Sequence, residues 1–314
     1  MSTGSTAFEE DRRGEDVEPW QVWAPDRYRL AEGLRAHDGA MHFVDLLAGR
    51  LWRCARRPGE PPALLLDLGI PLGAAAPVRG CADEWIVAAG DGIALAGPRG
   101  EPYWLARPEA DAPVPMRMND AVCDPLGRFW ATSMSADGRG AAGSLYRVGY
   151  DGAVQRMLMG LTVPNGPAFS PDGRVMYLAD SAERTILRFG VDPVAGTLRG
   201  GSLFACLAPH EGRPDGMTVD DLGRLWVALW GAGQVRCYAP DGSVAGSLSL
   251  PTPHTSSVAF ADGRIWVSTA THRLADPDPL AGAVLARETR VTAPAAACFG
   301  APSVPSSAPG PRAA

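Results

Sequence analysis

The chain has no excess of positive charge: 29 Lys and Arg stand against 35 Asp and Glu, a net charge of −6. Phosphate backbones need a concentrated basic surface, so nucleic acid is excluded as a partner. No apolar run reaches membrane-spanning length, which argues against a helical span and a membrane partner. The first twenty residues, MSTGSTAFEEDRRGEDVEPW, are polar and acidic and lack the apolar stretch of a secretion signal. The six cysteines, Cys54, Cys81, Cys123, Cys206, Cys237 and Cys298, form no Cys-x-x-Cys pair. They read as reduced, mostly buried thiols, and the expected location is cytoplasmic. A sustained helical period is missing too, so a helical bundle is not expected.

Glycine (37) and proline (29) are plentiful, as many tight turns require, and 46% hydrophobic residues suffice for a real core. Six segments repeat one pattern, a turn followed by a short strand centred on an aromatic. The anchors are Phe43, Trp85, Trp130, Tyr177, Trp226 and Trp266, spaced 40 to 49 residues apart. That period marks a repeat architecture. A further strand follows each anchor, at 49–54, 92–97, 143–148, 184–189, 233–238 and 282–287. Four of these carry a central arginine (Arg53, Arg147, Arg188, Arg236), as an outer strand with one exposed face would. A repeat this short cannot make its own two-layer core. Six small sheets around an axis can bury one another, and the expected fold is an all-β, six-bladed β-propeller over residues 17–300. The segment PWQVWAPDRYRL at 19–30 is placed to lend a strand to the last blade and close the ring. Residues 1–16 and the Pro/Ser/Ala-rich 301–314 are expected to be disordered.

Function is expected where the repeats differ: in polar residues just ahead of the aromatic strand, here read as the innermost, at one mouth of the channel. Glu32, Asn119, Asn165 and Asp215 each lie 11 or 12 residues before their anchor, and Arg117 and Asp120 flank Asn119. Equivalent places on successive blades point at one axis, so the four should converge. Two carboxylates and amide oxygens make a hard-oxygen site suited to Ca²⁺, Mg²⁺ or Mn²⁺. With no His or Cys among them, a closed structural zinc site is not expected. Asn-Gly and Asp-Gly are also ordinary turn pairs. Turns, however, need no common offset.

These residues carry a resemblance. AEG at 31–33, RMND at 117–120 with DPLGRFW behind it, PNGPAFSPDGRVMYLADS at 164–181 and RPDGMTVDDLGRLWVALWGAGQVRCYAPDG at 213–242 stand in an order similar to the SMP-30/gluconolactonase/LRE family, also called regucalcin. The resemblance spans Leu30 to Gly300. It implies one divalent metal in the channel, Ca²⁺ first and Zn²⁺, Mn²⁺ or Mg²⁺ as alternatives, held by Glu32, Asn165 and Asp215. It implies substrate contacts from Arg117 and Asn119, with Asp137 as a further candidate, and Asp215 as the catalytic carboxylate. The implied activity is hydrolysis of a sugar lactone or related ester by a monomer or weak homo-oligomer. A family enzyme acting on a specialised metabolite, as hydrolase or cyclase, and a non-catalytic calcium-binding propeller are the alternatives. The chain departs from the family pattern at Ala-Glu-Gly-Leu followed by Arg35, at SMSADGRG and at Thr-Ser-Ser. These departures touch substrate specificity and leave the implied metal ligands in place.

Overall fold

A computed structural model of the chain describes residues 19–98 and 101–302. Within them lie six four-stranded antiparallel sheets, the blades of a six-bladed β-propeller, and two three-residue 3₁₀ turns as the sole helical elements. The two end segments expected to be disordered lie outside the described residues, apart from residues 301 and 302. The strands run outward in chain order within each blade. Blade 1 is Ala31–His37, Ala40–Asp45, Arg50–Arg53 and Ala63–Asp67; blade 3 is Met116–Cys123, Phe129–Ser135, Gly143–Val148 and Val154–Leu161. In blade 6 the order Thr255–Ala261, Arg264–Thr269, Val284–Glu288 is completed by Gln21–Ala24, which pairs Gln21 with Ala286 and Ala24 with Val284. The ring therefore closes by the N-terminal strand, as 19–30 suggested.

The aromatic strand is second in each blade, not innermost. All six second strands consist of mostly buried residues, and Phe43, Trp85, Trp130, Tyr177, Trp226 and Trp266 are each buried against a neighbouring blade. Being sandwiched on both faces, these strands read as near-continuous apolar runs. The strands with central arginines are third, and a fourth, more exposed strand lies beyond them. Among the described residues the core is accordingly split into six large interblade clusters, each drawn mainly from two adjacent blades, and a small seventh of Leu30, Leu46 and Ala270. Burial of one such aromatic contributes on the order of 1.5–3 kcal/mol.

Two turns show how sequence sets blade geometry. In Asp124-Pro-Leu-Gly-Arg-Phe-Trp130 the buried Asp124 accepts hydrogen bonds from Arg128 Nε at 2.6 Å and from the Trp130 indole at 3.0 Å. In blade 5, Asp220 does the same with Arg224 Nε at 2.6 Å and Trp226 Nε1 at 2.9 Å. One carboxylate thus closes the turn and fixes the aromatic that plugs the interblade gap. The cysteines form no disulfide; Cys54, Cys123 and Cys237 are buried, whereas Cys81 and Cys206 are exposed, so burial is less general than expected. No helix among the described residues is long and apolar enough to cross a membrane.

Candidate functional site

The innermost strands are where the repeats differ. All six lose register with their neighbour part-way along: between Glu32 and Arg35, Leu72 and Ala74, Met118 and Ala121, Asn165 and Ala168, Pro214 and Met217, and Thr255 and Ser257. Such bulges bend a strand and re-aim its side chains. Glu32, Asn119, Asn165 and Asp215 sit at these irregularities, inside the innermost strands rather than in loops before them. The Pro-Asp-Gly cluster is therefore not a turn. It belongs to strand Arg213–Val219, and its glycine is needed for close approach: a Cβ on Gly216 would fall 2.7 Å from the Ser256 carbonyl of blade 6.

A chain of side-chain hydrogen bonds links three blades at this level. Arg117 Nη1 donates to Asn119 Oδ1 at 2.6 Å, and Asn119 Nδ2 donates to Asn165 Oδ1 at 2.7 Å. Asn165 Nδ2 donates to Ser181 Oγ at 2.9 Å, and Ser181 in turn donates to the Pro214 carbonyl next to Asp215. Asp120 is spent on structure: its two oxygens accept the Ala121 and Gly166 amides, bracing blade 3 on blade 4.

Glu32 and Asp215 are the unbalanced part of the site. Both are buried, at 6% and 5% exposure. Burial, then the Asp215 and Asp120 charges, hold the Glu32 carboxyl well above its usual range. Burial and Asp120 raise Asp215, against an opposing pull from the Gly216 amide and Arg117. Arg117 is lowered by burial, with Glu32 and Asp215 resisting and Arg273 adding to the shift. Glu32 Oε2 has no hydrogen-bond partner. Asp215 thus raises Glu32, and two buried carboxylates, one with an orphaned oxygen, are a pairing that a cation would compensate.

The donor set fits a hard divalent cation. Glu32 and Asp215 supply two charges, and Asn165 Oδ1 keeps a second lone pair after accepting from Asn119. Among the described residues no group of three or more His, Cys, Asp or Glu side chains is placed to hold a metal, so an amide oxygen has to complete any such set here.

Asp137 is not brought into this network. It is exposed, and its carboxylate accepts the Arg139 amide at 2.9 Å in the turn after strand Phe129–Ser135. Because Met116 pairs with Ser135, that turn lies at the same end of blade 3 as Arg117. Sequence reasoning missed Ser181, which lies 16 residues beyond Asn165 and becomes its partner only through strand pairing. It also missed the loop after strand Arg264–Thr269, with His272 and Arg273. A cavity of about 400 Å³ lies further along the innermost strands, lined by Asp120, Cys123, Phe169, Val219, Phe260 and the C-terminal Cys298 among others. The charged groups converge around Glu32 and Asp215, and the candidate site is placed there rather than in the cavity.

Fold and site together define a class: a six-bladed propeller with a polar, carboxylate-bearing centre built by its innermost strands. The fold is shared with known proteins. The SMP-30/gluconolactonase/LRE-like region matches residues 30–271, and the chain belongs to that family. It is 32% identical to a pentonolactonase of Haloferax volcanii, over 79% of this chain and 80% of that protein. It is 33% identical to an L-arabinolactonase of Azospirillum brasilense, over 88% and 94%. Among solved structures, a calcium-binding protein, regucalcin, from Agrobacterium tumefaciens superposes with a TM-score of 0.81 at 25% identity, over 90% of this chain and 97% of that one.

Proposed function

We propose that the chain is a metal-dependent lactonase that opens a sugar lactone or a related lactone or ester. The observation that carries the reading is the pair of buried carboxylates, Glu32 and Asp215, with an orphaned Glu32 oxygen and Arg117 beside them. The lactonase names of the relatives support the reaction class, and the regucalcin structure supports a divalent ion, with Ca²⁺ the first candidate.

Glu32, Asn165 and Asp215 would hold the cation, which supplies Lewis acidity toward the lactone carbonyl. Asp215 accepts the proton of the attacking water at a carboxylate oxygen. Arg117 keeps Nη1 on Asn119 and the Met118 carbonyl, and turns the rest of its guanidinium to the substrate oxygens. Asn119 contacts the same substrate face and, through Asn165 and Ser181, fixes the distance between Arg117 and the carboxylates. Metal binding alone needs no guanidinium, so Arg117 favours catalysis over a purely calcium-binding role.

The test is turnover of a sugar-lactone panel by protein stripped with chelator and reloaded with Ca²⁺, Mg²⁺, Mn²⁺ or Zn²⁺. Activity lost on stripping and restored by at least one ion is the expected result. Full activity after stripping overturns metal dependence, and failure to open any lactone with any ion overturns the reaction class.

A further inference from the structure

The mouth at which the innermost strands begin, Arg117's end of blade 3, carries cations that a neutral sugar ring does not require. Blade 6 places the turn Thr271–Leu274 there, directly after its second strand. The turn is pinned from three sides: Thr271 N and Oγ1 donate to the Tyr28 carbonyl at 3.3 and 3.2 Å, His272 N donates to the Arg29 carbonyl at 2.9 Å, and His254 Nδ1 lies 3.0 Å from the His272 carbonyl. His254 is itself stacked on Trp230 at 4.1 Å. The pinned turn holds Arg273 at φ 64°, a conformation that favours glycine. A fixed turn with an arginine at its least favourable position presents that side chain on purpose or at a loss.

Arg273 is exposed and, among the described residues, makes no hydrogen bond or ion pair. Arg273, Arg29 and Arg117 all depress the proton affinity of His272, and Arg273 opposes the pull of Glu32 and Asp215 on Arg117. Arg29 is likewise exposed and without an ion pair among the described residues. Among the described residues the acids on the flanking loops accept neutral hydrogen bonds, and none lies within ion-pair distance of Arg273 or Arg29. Asp26 accepts the Tyr28 hydroxyl, Asp45 the Arg29 and Leu30 amides, and Asp278 the Leu280 and Ala281 amides; Asp276 alone in that loop is left exposed. If a divalent cation balances Glu32 and Asp215, the arginines remain uncompensated, and a neutral lactone does not compensate them.

We infer that the substrate carries an anionic substituent, a carboxylate, sulfonate or phosphate, which Arg273 receives at the mouth while Arg117 engages the ring. This rests on the lactonase reading and narrows its substrate class to acidic lactones. The terminal oxygens of such a group match a guanidinium fork, and Arg29 adds long-range attraction.

The experiment compares kcat/KM of the metal-loaded full chain on a hexono-1,4-lactone and on the hexaro-1,4-lactone that bears a carboxylate in place of its terminal CH₂OH. The acidic lactone is expected to be preferred by about 10- to 100-fold, the scale of a hydrogen-bonded charge. Arg273→Gln should bring the ratio close to one. Arg273→Gly should do the same while keeping or raising the melting temperature, because glycine relieves the backbone; loss of the ratio through misfolding would lower it. A wild-type ratio near one, or a ratio unchanged in both variants, overturns the inference and leaves the lactonase reading standing. If neither lactone is opened, that reading fails, and calorimetric binding of the same pair decides the anion site: tighter binding of the acidic lactone, erased in both variants, upholds it, and equal binding overturns it.

Discussion

Asp215→Asn separates the chemistry of the centre from its architecture. Asp215 is 5% exposed and sits inside strand Arg213–Val219, so the near-isosteric amide fits where the carboxylate was. The change removes a proton acceptor and one of the two charges available to a cation. Loss of a general base costs about 10²- to 10⁴-fold in rate, or about 3–5 kcal/mol of barrier. Stability should move the other way. Without a cation, the buried Asp215 charge is disfavoured by desolvation and by Asp120, so neutralising it leaves the melting temperature in chelator unchanged or higher. Asp221 is the control in the same stretch. It is exposed, and its backbone amide donates to the Thr292 carbonyl at 2.9 Å, a bond that Asp221→Asn retains. The assay is kcat/KM on one lactone for both variants, with metal content and thermal melts in parallel. Equal activity in the two variants refutes the catalytic role. An Asp215→Asn protein that loses activity together with several degrees of melting temperature refutes the argument that the carboxylate is there for chemistry.

Three further outcomes are expected. In chelator, Glu32 and Asp215 hold protons in the folded state to higher pH than their ordinary values of 4.5 and 3.8, so the folded state binds more protons than the unfolded one above about pH 4; their contribution is therefore greatest below that pH and is lost as pH rises, and melting temperature should fall from pH 5 to 8, less steeply in Glu32→Gln and hardly at all with a binding cation present. A slope that is the same with and without cation would contradict the pairing of these carboxylates around an ion. Asp220→Ala takes a buried acceptor from Arg224, Trp226 and two backbone amides and should cost about 3–5 kcal/mol in denaturant unfolding, with activity per folded molecule kept. Gly73→Ala, in the blade that contributes no polar side chain to the centre, would put a Cβ 2.1 Å from the Asn119 carbonyl; it should displace Asn119, lower turnover by at least about tenfold and cost about 1–3 kcal/mol, as overpacking does.

Much of the architecture was legible because the legible strands obey one simple rule. The second strands are buried on both faces, so their sequences are apolar runs around an aromatic, and six of them at a regular spacing announce six blades. The Asp-x-x-Gly-Arg-x-Trp turns were visible as motifs, and the extra strand at 21–24 was visible as an unpaired apolar segment ahead of the first repeat. The innermost strands were not recognisable as strands. Their polar, glycine-containing sequences look like turns, because their side chains face a channel and their backbones bulge. The fourth strands were equally hidden, since an exposed strand such as Val154–Leu161 has little apolar alternation to read.

The sequence by itself determined the repeat, the anchors, the closing strand and the common offset of Glu32, Asn119, Asn165 and Asp215. These are local properties: a period, a spacing, a residue type at a turn. Tertiary structure decided which of those residues share a hydrogen-bonded chain, that Asp120 is spent on backbone amides, that Ser181 completes the chain and Asp137 stays out of it, and that the turn carrying Arg273 is pinned on Tyr28 and Arg29, just ahead of the strand that holds Glu32. Those relations join residues from different blades around a closed ring. Proximity across a ring depends on how far each blade is rotated and where each strand bulges, and no single stretch of sequence encodes either.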